Sequence, residues 1–150
     1  MKIRTDYVSN SSSSSFVLVG KVFDTNELLN KIREDRDFLD NFNKKNGTNY
    51  EDLDALIDDN GVVELLREYM GISWKDTIEI EIESVDGYLP DNIALGMNPT
   101  KMSDDMTLKD FKQKVADALT SHGIAVDASS MRFITGGSDA SGYSFFDCRG

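Results

Sequence analysis

Few residues of this chain have the type and spacing to do chemistry: His122, Cys148, the series Glu79, Glu81 and Glu83, and the glycine-rich run GGSDASG at residues 136–142. His122 is the single histidine. A Ser-His-Asp relay could be imagined around it, but the G-x-S-x-G elbow that would signal one does not occur. The stretch TSHGI instead places the imidazole at the C-terminus of a helix, where it suits the helix dipole. One histidine and one cysteine fall short of the ligand set of a structural zinc site. Cys148 sits beside Arg149, which would favour a thiolate, yet a lone near-terminal cysteine is read here as incidental. DALIDDNG suggests calcium, but taking Gly61 as the loop glycine of an EF-hand makes Leu56 the first ligand and Arg67 the last, and neither can serve. GGSDASG exposes backbone N–H groups that could cradle a phosphate; without a P-loop lysine or a following helix, it is better explained as a hairpin turn.

The glutamates carry more. Glu79, Glu81 and Glu83 alternate with Ile78, Ile80 and Ile82, so on a strand the carboxylates share one face and the isoleucines the other. Such a row could hold a divalent metal or act as acid and base. It is also what a half-buried strand with one solvated face looks like. We therefore expect no catalytic residue, no metal and no cofactor, and assign Glu79, Glu81 and Glu83 to a partner-binding face. Trp74, in the loop before this strand, is either a further anchor for a partner or a cap on the core.

The elements that would position these groups follow from periodicity. FVLVGKVF at residues 16–23 predicts a buried first strand. Asp24 or Thr25 caps a helix whose apolar face holds Leu28, Leu29, Ile32, Leu39 and Phe42 and which ends at Asn46-Gly47. Thr48 and Glu51 have capping-box spacing for a second helical stretch, split or bent at Gly61 and closed by Gly71. The isoleucine strand, a turn at Asp86-Gly87 and a return strand at residues 92–97 come next. Thr107 and Asp110 form a capping box, with Met106 and Phe111 as hydrophobic staple. The helix they open buries Leu108, Phe111, Val115, Ala118 and Leu119 and stops at His122-Gly123. MRFITGG and GYSFFD predict a terminal hairpin. The expected fold is α+β: a serine-rich leader over residues 1–15, then a single domain over 16–150, with a mainly antiparallel sheet and three to four helices packed on one face.

Composition narrows the partner. The chain has 150 residues, with 16 Lys+Arg against 27 Asp+Glu and a formal net charge of -11. That field repels a phosphate backbone, so it disfavours nucleic acid as a partner and favours a protein with a basic surface. No apolar run is long enough to span a membrane. The basic start MKIRTDYVSN has no apolar segment after it, so no secretory signal is read. With one cysteine, a reducing cytoplasm is the expected location, and the sequons at Asn10 and Asn46 carry no meaning there.

The start MKIRTDYVSNSSSSSFVLV, with Arg4, Tyr7, Val8, Asn10, Ser11, Ser12, Ser13, Ser14, Ser15 and Phe16, resembles an N-terminal signature of uncharacterised proteins from bacteria and large bacteriophages. The resemblance covers about the first twenty residues. It implies a bacterial or phage setting and carries no activity. The serines could form a flexible leader, extend the first strand, or be modified, since phosphorylation adds roughly -1.5 to -2 charge per site. The expectation is a non-enzymatic cytosolic accessory protein that binds another protein through acidic surface, such as a host-factor inhibitor or nucleic-acid mimic. The alternatives are a small nucleotide- or metal-binding enzyme and a virion structural component.

Overall fold

The computed structural model describes residues 15–73, 76–83, 90–138 and 144–149. Trp74, the serines Ser11 to Ser14, the Asp86-Gly87 turn and the middle of GGSDASG lie outside these residues. The described chain is one α+β domain. It has five strands, β1 (Ser15–Asp24), β2 (Glu79–Glu83), β3 (Asn92–Met97), β4 (Arg132–Ser138) and β5 (Ser144–Arg149). The helices are α1 (Thr25–Glu34), α2 (Arg36–Asn46), α3 (Leu53–Asn60), α4 (Val62–Met70) and α5 (Leu108–Ser121). The sheet order is β2-β3-β1-β4-β5 with every pair antiparallel.

There is one helix more than the upper end of the expected range, and the reason lies at Asp35. A continuous helix from Thr25 to Asn46 would carry Asp35 and Arg36, three and four residues past the buried Ile32, onto the apolar face. The chain breaks there instead, with Asp35 at φ -85°, ψ 89° and its N–H donating to the Ile32 carbonyl at 3.1 Å. The cap of the next helical stretch also differs from expectation. Asp52, not Thr48, caps α3, its Oδ1 accepting from the Ala55 N–H at 2.8 Å. Thr48 is occupied elsewhere: its hydroxyl donates to Asn43 Oδ1, which also accepts from the Tyr50 N–H, so Asn43 organises the α2–α3 loop. Gly61 separates α3 from α4 as expected.

One face of the sheet packs against the helices. Val19, Phe23, Ile78, Ile80, Ile93, Leu95 and Met97 meet Leu28, Leu29, Ile32, Leu65, Leu66, Phe111, Val115 and Leu119 in the main core. In α5 the Thr107–Asp110 capping box is formed, and the buried stripe is Phe111, Val115, Ala116 and Leu119. Leu108 stays exposed, in the first turn beyond the edge of the core.

The opposite face is not simply solvated. Leu18, Ala94 and Ile134 are fully buried there and form a second apolar cluster with Phe16, Val22 and Phe146. The sheet curls to make this possible. A Cβ built on Gly20 would lie 2.0 Å from the Leu95 carbonyl oxygen, and one on Gly96 2.3 Å from that of Val19. Only glycine fits at this cross-strand pair, because real Cβ atoms never approach backbone so closely. Gly136 has a related role. It lies between Phe16 on β1 and Phe146 on β5, whose rings meet edge to face at 5.6 Å.

Candidate functional site

The three glutamates lie on β2, at an edge of the described sheet, on the face away from the helices. They stand opposite Gly96, Ala94 and Asn92 of β3. Small residues at the first two of those positions leave the carboxylates half-buried in the curl rather than fully in water. Burial raises the Glu81 pKa above its ordinary value, and the neighbouring Glu79 charge raises it further. Burial raises Glu79 as well, opposed by a hydrogen bond from the Asn98 backbone and the charge of Lys101. Neither glutamate forms an ion pair among the described residues.

Glu83 does different work. Its Oε1 accepts from Asn92 Nδ2 at 2.7 Å, and its Oε2 accepts from the Phe146 N–H at 2.6 Å. Phe146 belongs to β5, the opposite edge of the sheet. A single carboxylate therefore joins the two edges, and a charge-assisted bond to a backbone N–H is a strong one. The alternation on β2 puts all three carboxylates on one face; the structure separates them into a neighbouring pair, Glu79 and Glu81, and a bridging residue, Glu83. Asn92 and the Phe146 amide were not legible as its partners. The sequence signals that could have revealed a tight curl are Gly20 and Gly96, isolated glycines inside strand patterns.

His122 caps α5, and its Nδ1 donates to the Met70 carbonyl at 2.7 Å, tying the ends of α5 and α4 together. Cys148 is largely exposed on β5, and its thiol pKa is raised by the partial loss of water around the sulfur, by Asp147 and by Glu83, against a lowering by Arg132. Arg149 pairs with Asp147 at 3.3 Å and does not activate the thiol. Gly136, Gly137 and Ser138 of the glycine-rich run belong to β4 and pair with β5, as a hairpin requires. Ser15 opens β1 opposite Gly137, so the strand takes in the last serine of the run. Among the described residues no three His, Cys, Asp or Glu side chains converge to hold a metal ion, and no helix is long and apolar enough to cross a membrane.

The site thus offers a half-desolvated carboxylate pair beside a strand edge, with chemistry suited to receiving cations. No family model, no curated protein and no solved structure matches this chain.

Proposed function

We propose that this chain is a non-enzymatic binding protein that receives a basic protein surface on the Glu79–Glu81 face of its sheet. The observation that carries this reading is the state of those two carboxylates: half-buried, repelling one another, and without an ion pair among the described residues. Their desolvation is a cost in the free chain, and a Lys or Arg brought in by a partner offsets it. The net charge of -11 draws such a partner in over longer range. The serine-run signature supports a setting in the cytosol of a bacterium, as an accessory protein of the cell or of a phage.

The test is capture from bacterial lysate by three baits: the unaltered chain, Glu79→Lys/Glu81→Lys, and Glu51→Lys/Asp58→Lys. The last pair reverses the same amount of charge at exposed positions just before and within α3. The reading expects partners that the first double variant loses and the second keeps. Equal recovery by all three baits, or equal loss in both variants, would remove this face from consideration.

A further inference from the structure

We propose that the seam between β2 and β5 is a strand-addition site for an extended, basic segment of a partner, held shut in the free chain by Glu83. The inference rests on the acidic-face reading above and specifies how that contact is made.

The described sheet has five strands, each antiparallel to its neighbour, so its two edge strands run in the same direction. The curl nevertheless brings β2 and β5 together. They are not joined as neighbouring strands; the link among the described residues is the Glu83 carboxylate, received by the Phe146 N–H. One strand running the other way would be antiparallel to both edges at once and would complete a sheet of even count. An added strand has a side-chain period of two. Positions beside Glu79 and Glu81 then call for Lys or Arg, and the positions between them, beside Ile80 and Ile82, call for apolar residues. The occupant is therefore an extended segment alternating basic and apolar residues.

Glu83 sets the cost of entry. Asn92 holds Oε1, which aims Oε2 at the β5 backbone, and an incoming strand has to displace that bond. The edge-to-face contact of Phe16 with Phe146 keeps β5 attached to the body of the sheet while the seam opens.

The experiment is hydrogen exchange on the full chain, with two peptides of equal charge as probes: one alternating Lys and Val, the other with a central Val replaced by Pro. The alternating peptide is expected to slow exchange of β2 and β5 amides. The Pro peptide, which cannot complete a ladder, is expected to bind at least about tenfold more weakly. Without peptide, Glu83→Ala should speed exchange of the Phe146 amide by about tenfold while β1 and β3 stay protected. Asn92→Ala keeps the carboxylate but frees it, and should give a smaller acceleration, so the clasp remains testable should the first variant not fold. Equal binding of both peptides, protection confined to other elements, or unchanged Phe146 exchange in both variants would overturn the seam. None of those results touches the bait comparison, which decides separately whether the Glu79–Glu81 face binds anything.

Discussion

Glu81 is the residue on which the electrostatics of the site turn. It faces Ala94 across the β2–β3 pair, has Glu79 as a charged neighbour, and is held half out of water by the curl of the sheet. Its pKa in the folded chain is raised, so the folded state binds its proton more readily than the unfolded chain does. The stabilising contribution of that proton is complete below the unfolded value and is lost as pH rises through the folded one. At pH 7 the charge is thus a small liability to folding. Glu81→Gln should raise the urea midpoint at pH 7, and the gain should vanish below about pH 4, where both states are protonated. A midpoint difference independent of pH would contradict this assignment. The alternation of Ile and Glu made the shared face of the carboxylates legible, but their desolvation depends on a curl that no neighbour in the chain dictates.

The elements divide by how local their causes are. Helix α5 was readable down to its cap: the Thr107 hydroxyl accepts from the Asp110 N–H at 3.1 Å, and Asp110 Oδ2 accepts from the Thr107 N–H at 3.4 Å. Thr107→Ala removes the acceptor for an otherwise orphaned helix N–H and should destabilise the chain by about 1 kcal/mol in denaturant titration. The break between α1 and α2 was harder to see. Leu28, Leu29 and Ile32 are in step with Leu39 and Phe42 as though on one helix, and only the charged pair Asp35-Arg36, falling on the buried face, forbids it. Thr48 and Glu51 had the spacing of a capping box and do not form one, because the Thr48 hydroxyl is taken by Asn43 and Asp52 is better placed to cap α3. A cap motif is a local opportunity, and competing local bonds decide whether it is used.

At the scale of the molecule, the second apolar cluster is what turns a two-layer sheet and helix arrangement into a curled one. Leu18 is fully buried on the face away from the helices, against Ala94 and Ile134. Leu18→Ala should cost about 2–5 kcal/mol, the range for truncating a buried leucine in a site that cannot collapse. A cost under about 1 kcal/mol would mean that this face is open to water. The same curl closes the sheet on itself at Glu83 and leaves the parity mismatch between β2 and β5. The surface ion pairs contribute little by comparison. Arg33–Asp54, Lys45–Glu68 and Arg149–Asp147 all have a largely exposed partner, and such pairs are worth a fraction of a kcal/mol each.

The amino-acid order by itself determined the strands, the helical stretches that stop at Gly47, Gly61, Gly71 and Gly123, the antiparallel character of the sheet and the common face of Glu79, Glu81 and Glu83. These depend on periods of two and 3.6 and on caps a few residues long, so the information is contained within each segment. Only the tertiary structure decided that Glu83 would leave that set to hold β5, that Gly20 and Gly96 would cross without room for a side chain, and that Leu18 would be buried on the far face. Glu83 and Phe146 are 63 residues apart, and their meeting is set by the curl of five strands together, a quantity that no single strand carries in its own pattern.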